Sequence, residues 1–503
     1  MIKKTLLEDK NIFIALFIYA FLLIFFCSKM SPLYPFNEWS DVNLYFNIGK
    51  AIAHGKVPYT EAFDHKGPLI FFIYSLGYLI SNASFLGMYI IESLFWVLMI
   101  FTAYLTAKLY LKKGHAYLVA LAFPVIIQSH TSQGGSAEEF IVIFETISLY
   151  LFILYFKNKE ITTHKPAYML VHGLLCAMTL FIKINLVIFW FFPLLAILVP
   201  LLINKEYKNL IHNIIAFTIG VLIIALPICI YFLINNAFGE AWNIYIILNK
   251  SYASVGTFIE VIELLIVRFY LRLRFETFEF LAILVGAFYF PFKYLSNKWG
   301  QIAIPLSFIS LYLLIFVPTN YVFYYSIPYY VYALPACIII CKCLKVIPST
   351  RISYAALTLL ILVWGIKQKD FFEYQIADLV KGKEINTVSY QFSKHVKKEK
   401  SPTLLNLGLD SGNGIFTRAN VNPTFKYFIS PNIKHEAYPE MRDEQTRYIE
   451  NKEPQFIILA EYSNNFQYFH NLPALNENYS IIDSYLEDGF KTYYLYKKKD
   501  NIR

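Results

Sequence analysis

Charged side chains are scarce in this 503-residue chain: 44 Lys and Arg and 35 Asp and Glu make up 16% of it, against 57% hydrophobic residues. A soluble core of this size does not need so much apolar surface, so the composition excludes an ordinary soluble enzyme and indicates a polytopic membrane protein. Cysteine is also sparse. Cys27, Cys176, Cys229, Cys337, Cys341 and Cys343 all lie in or beside apolar runs and none lies in the polar C-terminal region, which argues against a disulfide framework. The Cys341-Lys-Cys343 pair lacks a second ligand pair at zinc spacing. Also missing are a nucleotidyl-type Gly loop, an HExxH helix, a GxSxG elbow and a nucleotide-binding cassette signature. The net charge of +9 is spread over short loops instead of one patch, a topogenic pattern that gives no reason to expect a nucleic-acid partner.

What is present is a succession of apolar runs, at residues 11–28, 86–109, 115–129, 139–156, 167–183, 185–203, 209–234, 278–292, 300–317, 321–341 and 353–366. They predict an α-helical polytopic membrane protein with about eleven transmembrane helices. The first run is followed by Cys27-Ser-Lys-Met-Ser-Pro, which offers no small-x-small cleavage site, and reads as an uncleaved signal anchor. Residues 68–81 are apolar but too short to cross a bilayer, which takes roughly twenty residues. Keeping them at the interface puts Lys112-Lys113, the Lys157–Lys165 loop, Lys205–Lys208, Lys293–Lys298 and Lys342–Arg351 in the cytoplasm, as the positive-inside rule asks. The N-terminus is then cytoplasmic, and residues 29–85, 129–139 and 235–277 share the external face, where a composite site becomes geometrically possible. After Ile366 charge rises, and the strand-like stretches Thr403–Gly408, Gln455–Ala460 and Lys491–Tyr496, with a helix over Arg442–Asn451, predict an extracytoplasmic C-terminal α/β domain over 367–503, set after a membrane module over 1–366.

Side chains able to do chemistry concentrate in the first external loop. Ser40 is placed to cap a helix through His54, with Asn43, Asn47, Lys50 and His54 as a polar stripe and Leu44, Ile48 and Ile52 as an apolar one, the pattern of an interfacial amphipathic helix. Asp41 in its first turn meets the helix macrodipole, a sufficient structural reason for a carboxylate there. Asp64, His65 and Lys66 follow in the same loop; Lys66 suits either a phosphate or a snorkelling anchor role. In the second external turn, Glu138 and Glu139 open a span after Gly-Gly-Ser, one as cap and the other as a catalytic or substrate-binding carboxylate. Glu145 lies deeper and needs a partner or a polar cavity. Lys183 sits outside between two spans, against the orienting bias, which suits an anionic ligand as well as a turn with a snorkelling Lys. Residues 257–275 hold Glu260, Glu263, Arg268, Arg272 and Arg274, too much charge for a span, and read as an interfacial helix whose Arg268 and Arg272 grip a phosphate or lipid headgroups.

As an ordered set, Trp39-Ser-Asp41, Gly55-Lys-Val-Pro-Tyr59, Asp64-His-Lys66-Gly-Pro68, Ser136-Ala-Glu-Glu-Phe140 and Phe181-Ile-Lys183 resemble the GT-C superfamily of polytopic glycosyltransferases, in particular the branch of protein O-mannosyltransferases and the aminoarabinose transferase of lipid A. The resemblance covers about residues 10–200. Two departures stand out: Leu44 occupies the place where some relatives carry an Arg, and Gly67 separates Lys66 from Pro68. The resemblance implies a sugar donor on a polyprenyl phosphate, transfer with inversion on the outer face of a bacterial cell membrane, and a glycan, lipid or protein acceptor. Asp41 would be the base, Glu138 a catalytic or positioning carboxylate with Glu139 as its deputy, and Lys66 and Lys183, with Arg268 or Arg272, would offset charge on the leaving phosphate. Asp64 and His65 join the substrate-binding set. Some members use a divalent metal, for which this chain has no dedicated ligand cluster; no cofactor is assigned. Rival readings are a lipid-linked glycan flippase or other transporter, which needs midplane charges and related halves, a polysaccharide polymerase or ligase of another fold, and a non-enzymatic assembly or sensor protein.

Overall fold

The computed structural model describes residues 8–159, 163–252, 255–345, 350–372, 386–408, 410–431 and 433–499. The start of the expected C-terminal domain at 373–385, and parts of the basic loops at 157–165 and 342–351, lie outside the described residues. Each of the eleven apolar runs lies in a helix: α1 (Lys10–Cys27), α4 (Leu86–Lys108), α5 (Lys113–Gln128), α6 (Ala137–Phe156), α7 (Pro166–Leu180), α8 (Ile188–Ile203), α9 (Tyr207–Ile234), α11 (Thr277–Tyr294), α12 (Lys298–Phe316), α13 (Phe323–Cys343) and α14 (Arg351–Lys367). Between them stand α2 (Ser40–Ala53), α3 (Pro68–Ile80) and α10 (Phe258–Phe275). Among the described residues, seven helices are long and apolar enough to cross a membrane. Counting α10 and α11, bent by 114° at Glu276, as one span makes eight, and α5 and α7 are shorter apolar helices. The chain is a multi-pass membrane protein.

Local sequence explains these bounds. Pro68 and Pro166 stand at helix starts, where their missing N–H is no loss. Ser136 with Glu139, and Thr257 with Glu260, form reciprocal caps. Pro124, Pro193, Pro200, Pro227 and Pro305 sit inside helices, as membrane helices tolerate where neighbours meet the freed carbonyls. On α9 the exposed residues are Ile, Leu and a few others, among them Ile211, Ile215, Leu222 and Ile230, a surface that suits lipid. α6 is enclosed instead, with 89% of its most apolar window buried.

The chain divides into two compact units. One holds residues 1–33, 89–228 and 253–374; the other holds 34–88, 229–252 and 375–503. The second unit contains the small α/β domain: a four-stranded sheet in the order β1 (Leu404–Asn406), β2 (Phe456–Ala460), β4 (Lys491–Lys498), β3 (Tyr479–Glu487), with β1 and β2 parallel and the other pairs antiparallel. Around it are α15 (Val388–Val396), α16 (Asn413–Arg418), α17 (Pro439–Glu450) and α18 (Phe466–His470). The three expected strands are present and the expected helix begins earlier, at Pro439. β3 is additional: an edge strand, mostly exposed, joined to β4 by a turn in which Asp488 and Gly489 both have positive φ.

α2 differs from the expected amphipathic helix in what its stripes face. Asn43, Asn47 and Lys50 are fully buried. Asn47 donates to the carbonyl of Asn413 and its side-chain oxygen accepts from Thr417, while Lys50 Nζ donates at 3.1 Å to each of the carbonyls of Phe416 and Val421, at the end of α16. The polar stripe therefore docks on protein, and its cation sits where a helix's last carbonyls attract positive charge. The opposite face packs on α3 so closely that a Cβ at Gly49 would lie 2.6 Å from the Ser75 nitrogen. Ser40 does not cap: it is already helical, and its hydroxyl accepts from the Asn413 amide at 2.9 Å.

Burial lowers the Lys50 pKa to about 7. Between pH 7 and the unfolded value near 10.4, the unfolded chain binds a proton that the folded chain releases, so this group makes stability rise with pH through that window. The thermal unfolding midpoint of the wild type should exceed that of Lys50→Met by a growing margin from pH 7 to pH 9. Parallel curves for the two proteins would contradict this assignment.

Candidate functional site

The first unit gathers candidates around the turn that precedes α6. Gly134 and Gly135 carry φ of +92° and +77°, the left-handed region that glycine enters freely. A Cβ at Gly134 would also lie 1.9 Å from the Ser28 hydroxyl. The turn delivers Ser136 as N-cap: its hydroxyl accepts from the Glu139 N–H and the Glu139 carboxylate accepts from the Ser136 N–H, each at 3.2 Å. Successive helical residues point about 100° apart, so Glu138 leaves in another direction and its Oε1 meets Lys183 Nζ at 2.6 Å. Glu138 is 1% exposed and Lys183 18%. The Lys183 ammonium also stands 3.4 Å from the centre of the Tyr325 ring, a cation–π contact. Of the two adjacent carboxylates, then, Glu139 is the cap and Glu138 the one paired with a cation.

Behind Glu139 lies a group that sequence reasoning missed. Glu92 of α4 is buried and accepts from the Ser28 hydroxyl at 2.8 Å. Lys369, just beyond α14, is buried too; its Nζ donates to the carbonyl and hydroxyl of Thr131 at 2.8 and 2.6 Å. Burial lowers the Lys369 pKa to about 8, against the opposing pull of Cys27, Glu139 and Glu92. No spacing rule joins residues 92, 139 and 369, so no signal in the chain announces the cluster.

Arg268 and Arg272 are committed within the same unit. Arg268 donates to the carbonyls of Phe316, Pro318 and Thr319, closing the end of α12, and stacks on Tyr321. Arg272 donates to Glu276 and to the Tyr321 hydroxyl. Glu276 in turn accepts from Tyr330, whose hydroxyl lies 3.0 Å from His130 Nδ1. Burial and the charges of Arg272 and Lys369 hold the His130 pKa down at about 3, so the ring is neutral, and its Nε2 has no hydrogen-bond partner among the described residues. His130 stands in the turn 129–139 singled out for its glutamates, yet its role emerges only with Tyr330 stacked on it at 4.0 Å. Glu145 is fully buried with neither oxygen hydrogen-bonded among the described residues.

The second unit holds Asp41, Asp64, His65 and Lys66. Asp41 is half-buried in the first turn of α2, with the Tyr45 hydroxyl 3.4 Å from its Oδ2. Asp64 is 1% exposed; its Oδ1 lies 3.2 Å from His65 Nδ1, and its Oδ2 has no hydrogen-bond partner among the described residues. Burial pushes the Asp64 carboxyl up, but His65 and the Lys66 charge outweigh it and hold the pKa below the usual carboxylate range. The backbone of this turn is fixed by the Tyr59 hydroxyl on the Lys66 carbonyl at 2.7 Å and by the Asn249 amide on the His65 carbonyl at 2.5 Å. Lys66 itself is partly exposed. Among the described residues no group of three or more His, Cys, Asp or Glu side chains is arranged to hold a metal ion, so no step is assigned to one.

Comparison with known proteins bears on what these clusters belong to. A family model described as dolichyl-phosphate-mannose-protein mannosyltransferase matches residues 65–234. No curated protein matches the sequence. Among solved structures, ArnT from Cupriavidus metallidurans bound to undecaprenyl phosphate superposes with a TM-score of 0.61 at 12% identity, over 96% of this chain and 97% of that one. The Archaeoglobus fulgidus oligosaccharyltransferase tethered to an acceptor peptide superposes with a TM-score of 0.51 at 13% identity, over 97% of this chain and 74% of that one. The fold is the one seen in ArnT and in the archaeal oligosaccharyltransferase.

Removing one partner of a buried ion pair costs about 3–5 kcal/mol because the other charge stays behind. Lys183→Met should therefore lower thermal stability clearly, and adding Glu138→Gln should restore most of the loss. A double variant no more stable than Lys183→Met would show that the pair is not coupled. Gly134→Ala should sharply reduce folded protein, as read by size-exclusion profile, and Ser28→Gly should recover part of it.

Proposed function

We propose that this protein is an inverting glycosyltransferase that moves a sugar from a polyprenyl phosphate carrier to an acceptor outside the cytoplasm. The observation that carries the reading is a fold likeness running the length of the chain to a protein whose solved complex contains undecaprenyl phosphate. The N-terminus is assigned to the cytoplasm and the C-terminal α/β domain to the far side of the membrane, following the basic loops.

The chemistry follows from the donor. A sugar on a polyprenyl monophosphate is a phosphodiester with one negative charge; breaking the bond from C1 to the phosphate oxygen leaves a monoester with a second. As that bond breaks, the acceptor oxygen bonds C1 from the opposite face and its proton passes to a base. We assign the base to Asp41, a half-buried carboxylate next to a tyrosine hydroxyl. Lys66 and Lys183 are assigned to the growing phosphate charge. Glu138 holds Lys183 in place. Asp64 and His65 position Lys66 through the turn they share. Arg268, bonded to backbone carbonyls, and Arg272, bonded to Glu276 and Tyr321, are assigned to structure instead of phosphate binding.

Membranes carrying Asp41→Asn should transfer sugar from a radiolabelled polyprenyl-phosphate-sugar pool to envelope material about 10²-fold or more slowly than wild type at matched protein level, the usual size of a general-base effect. Lys66→Met should impair transfer while leaving the fold intact, read as an unchanged melting midpoint. Equal transfer by Asp41→Asn and wild type would remove Asp41 as base.

A further inference from the structure

Three segments of the first unit meet at Lys183. Its backbone N–H donates to the Thr179 carbonyl at 2.8 Å, which closes the end of α7 and fixes where the side chain starts. Glu138, from the first turn of α6, takes the ammonium at 2.6 Å. The third segment is the start of α13, where the face of the Tyr325 ring stands 3.4 Å from Nζ, measured to the ring centre. Tyr325 is itself held: its N–H donates to the Val322 carbonyl at 3.0 Å, and the Tyr324 ring packs edge-on against it at 5.0 Å.

The two side-chain partners of Lys183 do different work. Glu138 neutralises the ammonium but fixes only the line from Nζ to its own oxygen, and the flexible four-carbon stem of a lysine can still swing about that line. The ring supplies a second direction. It attracts the cation through its quadrupole, and it does so without bringing a second negative charge. A second carboxylate in the same place would orient Lys183 as well, but it would also repel an anionic ligand. The pair is largely out of water, with Glu138 1% exposed and Lys183 18%, the setting in which a cation–π contact is strongest. We infer that Tyr325 is a positioning residue for the phosphate of the carrier lipid: its ring face seats the Lys183 ammonium in the direction from which it meets that phosphate. The inference rests on the assignment of Lys183 to the phosphate in the reaction above, and it gives the ring face the role, not the hydroxyl.

The test is the affinity of the full-length protein in nanodiscs for undecaprenyl phosphate, titrated by thermal shift. Lys183→Met and Tyr325→Leu should each weaken binding about tenfold or more, the size of a partly desolvated cation–π contact. Packing alone could produce the second loss, so a graded series decides. Tyr325→Phe keeps the ring face and serves as the reference; mono-, di- and trifluorophenylalanine at the same position draw electron density from the ring at nearly constant shape. Affinity should fall stepwise along the series, by about tenfold in all, whereas a ring that only fills space gives a flat series. The series also serves where Tyr325→Leu fails to fold. A flat series, wild-type affinity in Lys183→Met, or no binding by the wild type overturns the inference. Sugar transfer is measured on the same preparations: a graded series in a protein that transfers no sugar keeps the seat and discards the glycosyltransferase reading, and a flat series in a protein that does transfer sugar discards the seat alone.

Discussion

The start of α6 is the constraint on which the first unit turns. Two glycines with positive φ and a serine cap fix the rotation of the helix, and that rotation separates two adjacent glutamates into different tasks. Had Ser136 been unable to cap, the Glu139 N–H would lose its acceptor and the helix start would lose half of its reciprocal cap. The cap itself is worth about 1 kcal/mol, yet it decides which carboxylate meets Lys183. A small local energy thus sets the geometry of a buried ion pair whose disruption costs several times as much.

The second unit is organised by a different device. Residues 34–88 are not a loose loop with helices afloat on it; they pack as one unit with the C-terminal domain. Lys50 and Asn47 reach the end of α16, and Glu38 accepts from Arg418 at 2.9 Å while Ser389 donates to the same carboxylate at 2.6 and 2.9 Å. Phe63 stacks on Tyr438 with ring centres 5.3 Å apart, and the Tyr427 ring lies tilted against it at 5.0 Å. The C-terminal domain thereby braces the loop that carries Asp41 and Lys66. A structural purpose for the domain follows without any ligand.

What was legible in the sequence follows the range of the interactions. Apolar runs report the membrane directly, so every expected span lies in a helix. The N-terminal signals of α6 and the local patterns of the three expected strands also act over a few residues, and they read correctly. Contacts between distant segments leave no such trace. The stripe Asn43, Asn47, Lys50 has the same pattern whether it meets water or another part of the chain, and the choice is made by α16, more than 350 residues on. Nothing in the sequence singles out Glu92, because its partner hydroxyl is on Ser28, 64 residues away. β3 was missed although Asp488-Gly489 is a hairpin signal: as an edge strand with exposed residues it lacks the clean alternation of a half-buried one.

The arginines and lysines show how burial sorts candidates that sequence treats alike. A guanidinium is a rigid fork, and once Arg268 has bonded three carbonyls at the end of α12 its fixed geometry leaves little to offer a ligand. An ammonium on a flexible stem can turn: Lys183 keeps Glu138 on one donor and an aromatic face beneath it, with 18% of the side chain still open. Lys50 and Lys369 fall on the arginine side of this division, because burial draws both toward the neutral form and backbone carbonyls accept their hydrogen bonds. Among the basic residues considered, partial exposure together with a carboxylate or a fixed turn is found at Lys183 and Lys66. That combination is why Lys183 and Lys66, and not the arginines, are the cations proposed to face the phosphate.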